Sequence, residues 1–219
     1  MVLSCSMPKK ATSQEMVLKS LRKMLASARL KPGQQIVQDT LAAKLGVSRV
    51  PLREALKVLE AEGRVVHEPH RGYFVAQLDI ADFIEIYRLR EILETEALSV
   101  GIPLATKKDI ALVTKLASDV QHFSDSSDII GAARANRKFH FSILNLCAQD
   151  RLIRLIENLW DFTDNYRILY LSEKKNRDYV ATEHAKILQA VKQKDVVKVI
   201  KLHDDHRNHA VVALKALLP

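Results

Sequence analysis

Two kinds of hydrophobic pattern divide this chain. Between Ser13 and Val75, short helical periods give way to brief runs of β-branched and aromatic residues. After Gln77 the strand signals stop, and apolar positions recur at helical spacing almost to the end. In the first part, Leu41, Ala42 and Leu45 form the apolar face of a short helix, capped by Asp39 or Thr40 and ended by Gly46. Ser48 caps the next helix, where Leu52, Leu56 and Leu59 recur at spacings of four and three and point inward. Gly63 closes that helix. Val65-Val66 and Tyr73-Phe74-Val75 then read as two strands around His67–Gly72. A further helix begins near Ser13, and residues 1–12 read as a flexible tail.

The second part predicts an all-α bundle of about six helices. The first opens at Asp79 or Ala81 and runs through Val100, stopped by Gly101 and Pro103. Thr106 caps the second, which ends near His122, and Ser124–Ser127 form a polar break. The third spans Asp128–Ala148 and the fourth Asp150 to about Ser172. Glu173–Asp178 reads as a charged connection. The fifth spans Tyr179–Lys194 and the sixth Asp195–Leu218. The expected organisation is a tail over 1–12, a mixed domain over 13–78 and a helical domain over 79–219.

A short helix, a tight turn, a second helix and a basic hairpin follow one another in the order of a winged helix-turn-helix. Arg49 and Arg53 stand four apart near the start of the second helix, off its apolar stripe. From there they can reach guanine edges in a major groove, where a bidentate contact is worth roughly 1–3 kcal/mol of base discrimination. His70, Arg71 and Gly72 form a wing tip that can enter the adjacent minor groove. The competing reading is a solvated pair of arginines on an ordinary helical hairpin; the wing directly behind it favours DNA.

Charge points the same way. The chain carries 34 Lys plus Arg against 26 Asp plus Glu, a net of +8. Residues 1–78 hold 13 basic and 6 acidic residues, a net of +7, and the remainder 21 and 20, a net of +1. An excess confined to one domain is the footprint of phosphate binding. Cys5 and Cys147 imply no disulfide framework. MVLSC lacks the charged start and apolar length of a lipid-attachment signal, and no run approaches the roughly 18 apolar residues of a membrane helix, so a cytoplasmic protein is expected.

Six of the eight histidines fall in the helical domain. Asn136 and His140 are four apart and share a helix face. His184 lies on the fifth helix, and His206 lies 22 residues later on the sixth; an antiparallel pair could bring them level. Three imidazoles and a carbonyl oxygen would suit Zn, Ni or Fe. Spacing alone leaves open the alternative of core histidines with satisfied hydrogen bonds. His203, His206 and His209 are three apart, so at least one should meet solvent.

The segment LKPGQQIVQDTLAAKLGVSRVPLREALKVLEAEGRVVHEPHRGYFV closely resembles the DNA-binding domain of GntR-family transcription regulators. The resemblance implies operator contacts from Ser48, Arg49 and Arg53 on the recognition helix, and from Gly72 with its neighbours, Arg71 included, on the wing. Some members carry a DNA-contacting basic residue near the start of the preceding helix; Asp39 stands there, and that contact is not carried over. The helical part resembles the FCD domain of FadR-type regulators, through YRLREILETEAL, NRKFH and EHAKIL…HDDH. Six helices rather than seven suggest its VanR-like branch. Together the two resemblances cover roughly residues 13–217.

The family's Asp and three His map onto Asn136, His140, His184 and His206, implying a divalent metal, Zn or Ni, with an amide where a carboxylate is usual. Arg90 becomes a second anchor for a small carboxylate effector, or simply an intrahelical partner of Glu94. The implied function is a ligand-responsive repressor that binds operator DNA as a homodimer and is not an enzyme. The alternative is a metal-dependent hydrolase with an appended basic domain. Against it, no HExxH motif occurs, and Glu183 should face away from His184's site.

Overall fold

The computed structural model describes residues 12–77 and 79–215. The chain divides into two compact units, Met1–Gln77 and Leu78–Pro219. Apart from Thr12, the tail expected over 1–12 lies outside the described residues, as does the expected helix end at Leu218.

The first unit begins with α1 (Ser13–Ala26). Thr12 and Glu15 close a capping box there, each side chain accepting from the other's backbone N–H. A turn at Pro32-Gly33 leads to β1 (Gln35–Ile36), then α2 (Gln38–Leu45) and α3 (Arg49–Ala61). Gly46 ends α2 in left-handed backbone at φ +66°, as its position predicts. β2 (Val65–Glu68) and β3 (Gly72–Val75) complete an antiparallel sheet of order β1-β3-β2, with Glu68 opposite Gly72 at the hairpin end. Leu21, Leu52, Leu56 and Leu59 meet in the core of this winged helix-turn-helix, joined by Ile36, Val65 and Val75 from the sheet.

Two caps differ from expectation. α2 opens two or three residues earlier, behind Val37, which makes no side-chain cap bond. Asp39 therefore lies inside the helix, and its carboxylate pairs with Arg49 instead. Ser48 does occupy the N-cap of α3, but its hydroxyl makes no capping bond. β1 was not predicted: two residues carry no period, and the strand exists because β3 offers it an edge.

The second unit is helical: α4 (Ile80–Leu104), α5 (Lys107–Ser124), α6 (Ile129–Leu144), α7 (Asp150–Phe162), α8 (Asp164–Ser172), α9 (Lys174–Gln193) and α10 (Val196–Lys215). Asp79, Thr106 and Asp128 cap α4, α5 and α6 through their side chains. Phe83, Leu98, Val113, Phe139, Ile156, Trp160, Ile187 and Val199 form a core to which all the helices but α8 contribute a fully buried side chain.

Four boundaries are corrected. Gly101 and Pro103 do not stop α4, which continues to Leu104. Gly101 sits where the 3-10 turn Asn145–Cys147 crosses the helix; an added Cβ there would lie 2.7 Å from the Cys147 nitrogen. Pro103 falls in the last turn, where a missing N–H costs little. The third predicted helix ends at Leu144, and the rest of it forms that 3-10 turn. The predicted fourth helix breaks at Thr163 into α7 and α8, and the charged connection at Glu173 is already α9 by Lys174. The bundle thus holds six predicted segments but seven helices among the described residues, so a helix count does not choose a branch of the family.

Candidate functional site

The exposed face of α3 carries Arg49, Arg53 and Lys57, because the buried stripe of Leu52, Ala55, Leu56 and Leu59 turns the opposite side to solvent. Ser48 precedes them and is also exposed. Arg49 forms an ion pair with Asp39, nearest at Nε. In the wing, Arg71 pairs with Glu68, its guanidinium lies 5.0 Å from the Phe74 ring centre, and its carbonyl accepts from Gln35 Nε2 at 2.7 Å. His70 adopts φ +62° and Gly72 φ +93°, so the tip needs left-handed backbone at two positions, and Gly72 adopts it without strain. The predicted DNA residues thus share one exposed recognition helix and one exposed wing.

The helical unit builds its site from three elements. α6 supplies Asn136 and His140, α9 supplies His184 and α10 supplies His206. The antiparallel crossing expected from the 22-residue separation brings the rings together. His140 Nε2 lies 3.0 Å from His184 Nε2 and 3.1 Å from His206 Nε2, and one ring nitrogen of each of the three lies within 4.8 Å of the others. Phe139 stacks on His184 at 4.1 Å between ring centres, which fixes that ring's plane.

Protons do not account well for this arrangement. A neutral ring nitrogen carries either a hydrogen or a lone pair, so His140 Nε2 cannot make good bonds to both neighbours. His206 Nδ1 faces Glu183 Oε2 at 2.7 Å, which places the hydrogen on Nδ1 and leaves the Nε2 lone pair facing the cluster. Asn136 Oδ1 is buried without a hydrogen-bond partner, and Asn136 lines the same small cavity as His140 and His206. An unsatisfied buried oxygen lining the same cavity as His140 and His206, with His184 Nε2 facing His140, offers donors that suit a first-row divalent cation. The residues therefore fit the metal that the family implies.

Burial, and then the neighbouring imidazoles, push His140 and His184 well below the usual histidine range, so both are neutral, as ligands must be. Burial alone would raise Glu183, but its bonds to His206 and His209 bring it below the usual carboxylate value.

The cavity offers about 30 Å³ to water, room for a water or two or a ligand's carboxylate head. Arg90, Arg167 and Arg207 all line it and all are buried. Arg90 donates from Nε to Glu94 at 2.8 Å, so it is both an intrahelical ion-pair partner and a cation at the cavity wall. Glu94 also accepts from Arg207 at 2.6 Å and from Trp160 Nε1 at 2.7 Å. Burial works against its charge, but Arg90 and Arg207 hold its pKa at about 2. Arg90 and Arg167 stack on the Trp160 ring at 4.2 and 4.1 Å.

Several of these residues escaped the sequence reading. Glu183 was expected to face elsewhere, yet it holds both His206 and His209. Its position opposite two α10 histidines three residues apart is the signal that could have found it. His203 is buried beside His140, with Nε2 unpartnered, while His209 is the solvated member of its trio. Arg167, Arg207 and Trp160 come from separate helices and leave no local signature.

An exposed basic recognition helix with a wing, and a separate bundle enclosing a histidine cluster, are the parts of a DNA-binding regulator. The family model described as bacterial regulatory proteins, gntR family, matches residues 13–75, and the FCD domain model matches residues 85–209. The chain belongs to the GntR family of transcription regulators and carries an FCD domain.

It is 29% identical over 202 residues to the uncharacterized HTH-type transcriptional regulator YdhC of Bacillus subtilis (strain 168), covering 90% of this chain and 89% of that protein. It is 29% identical over 179 residues to the HTH-type transcriptional regulator McbR of Escherichia coli (strain K12), 80% of each chain. The solved structure of E. coli McbR/YncC superposes with a TM-score of 0.85 at 23% identity, covering 95% of this chain and 99% of that one. The gluconate operon transcriptional repressor of B. subtilis (strain 168) is 24% identical over 207 residues, 91% of this chain and 83% of that protein. These relatives are transcriptional regulators, and the chain is a regulator rather than an enzyme. Among the described residues no helix is long and apolar enough to cross a membrane.

Proposed function

We propose that this regulator senses a small carboxylate at a metal centre held by Asn136, His140, His184 and His206, and that binding there changes its affinity for operator DNA. The observation that carries the reading is the convergence of three Nε2 atoms beside an unpartnered amide oxygen, in a cavity walled by buried arginines. A bound Zn or Ni would supply a positive centre able to accept an oxygen anion in a free coordination position. The four protein donors are all neutral, so this charge is left for the ligand to balance. Glu183 orients His206, Phe139 orients His184, and Arg90 meets the far oxygen of the carboxylate.

On the DNA side, Ser48, Arg49 and Arg53 read the major groove, while Arg71 and Gly72 sit in the minor groove. The protein acts in the cytoplasm as a homodimer on a two-fold operator, matching half-sites to its own symmetry. Repression is the favoured mode because a relative that aligns along most of its length is named a repressor. Hydrolysis is disfavoured by the local carboxylates: Glu183 is held by two histidines and Glu94 by two arginines, so neither serves as a free base.

The test is metal analysis of untagged protein with a thermal-shift screen of small carboxylates. The expected result is stoichiometric Zn or Ni and a carboxylate that raises Tm only in the metal-loaded form. Metal-free protein that gains no Tm from added Zn or Ni would refute the centre.

A further inference from the structure

Asp39 stands in the first turn of α2, and its carboxylate forms an ion pair with Arg49 in the first turn of α3, the nearest contact falling at Nε. The pair therefore bridges the two helices of the helix-turn-helix. Its side chains are 63% and 68% exposed, so it adds little to stability. Its consequence is geometric. Arginine reads guanine O6 and N7 with its terminal nitrogens, and a carboxylate nearest to Nε leaves that fork available. The wing provides the contrast: Glu68 holds Arg71 through Nη1 and so occupies part of the fork. Arg49 would otherwise sample many rotamers, and fixing it before DNA arrives removes part of that entropic cost.

Charge gives a second, opposite consequence. Asp39 puts a negative group beside Arg49, on a helix-turn-helix surface whose other exposed side chains include Lys44, Arg53 and Lys57. A carboxylate near the phosphates weakens sequence-independent attraction. We propose that Asp39 is a positioning residue for base recognition, holding Arg49 ready to read a guanine while lowering the protein's general affinity for DNA. The proposal rests on the reading of α3 as the recognition helix.

The experiment uses the full chain and a pool of random-sequence duplexes. Wild type, Asp39→Ala, Asp39→Asn and Arg49→Ala are each put through selection. Affinities are then measured for the wild-type selected duplex, its single-base variants and a scrambled duplex. Arg49→Ala is expected to lose about tenfold or more of the preference for guanine at one position. Asp39→Ala is expected to relax that same position about three- to tenfold, while binding the scrambled duplex about twofold tighter. Asp39→Asn keeps an acceptor for Nε and is expected to fall between.

An Asp39→Ala protein with unchanged guanine preference would overturn the proposal. So would one with a sharper preference, which would make Asp39 a competitor for Arg49. Equal losses on selected and scrambled duplexes would mark Asp39 as merely structural and overturn it too. If Arg49→Ala itself leaves every base preference intact, the recognition-helix reading fails, and the proposal fails with it; a silent Asp39→Ala beside a responsive Arg49→Ala removes the proposal alone.

Discussion

Asn136 puts a neutral amide oxygen at the edge of the histidine cluster where a carboxylate would put a charge. The oxygen is buried and unpartnered, so a metal has a donor there but no charge compensation. Asn136→Asp should raise Zn or Ni affinity about tenfold, read as metal content at limiting metal beside wild type. It should weaken carboxylate binding in turn, because the centre would hold less net positive charge. Equal metal content in both proteins would show that the amide imposes no handicap. The family resemblance named Asn136, His140, His184 and His206, and spacing alone left them undecided; a four-residue spacing and an antiparallel pair of helices explain why the three rings meet. Glu183 was missed: neighbours on a helix point about 100° apart, but a glutamate is long enough to reach His206 and His209 on α10 from the adjacent face.

At the level of elements, helix starts capped by a side chain were more legible than the other boundaries. Thr106 and Asp128 cap through side-chain oxygens, a local chemistry that sequence displays. Gly101 and Pro103 carried the wrong message because tertiary packing decides their role. Gly101→Ala should destabilise the helical unit by about 1–3 kcal/mol, measured by urea unfolding, since its Cβ would press on backbone rather than on a side chain that can move. No loss of stability would mean that α4 and the Asn145–Cys147 turn can separate cheaply. The break at Thr163 has no glycine or proline to announce it. The helix-turn-helix was largely legible, because Gly46 and the leucine stripe of α3 act locally; the start of α2, whose N-cap Val37 offers no side-chain bond, and β1, which depends on β3, were missed.

For the whole molecule, the buried charges predict how stability follows pH. His140 and His184 titrate below their usual value when folded, so the unfolded chain takes up protons first. The stability they confer on metal-free protein is complete above about 6.5 and is lost as pH falls below it. Glu94 is depressed from 4.5 to about 2, so its contribution is full above 4.5 and disappears as pH falls toward 2. Thermal unfolding in chelator should therefore show Tm dropping as pH falls below about 6.5, and bound metal should move that drop to lower pH by holding the imidazoles neutral. A Tm that is flat from neutral pH down to about 5, with and without metal, would contradict this burial of neutral imidazole.

The two-domain division was visible in the charge, with +7 on residues 1–78 and +1 on the rest, since phosphate binding demands a basic surface and effector binding does not. The measurement that tests the account most directly is DNA affinity as a function of both ligands. A duplex selected by the wild-type protein from a random pool is titrated with full chain, with metal or chelator, across a panel of small carboxylates. The account predicts that one carboxylate changes duplex affinity about tenfold or more, that chelator abolishes the effect, and that His184→Ala abolishes it while leaving affinity for the duplex alone intact. A carboxylate effect that persists in chelator and in His184→Ala, or no effect from any carboxylate on metal-loaded protein, would contradict it.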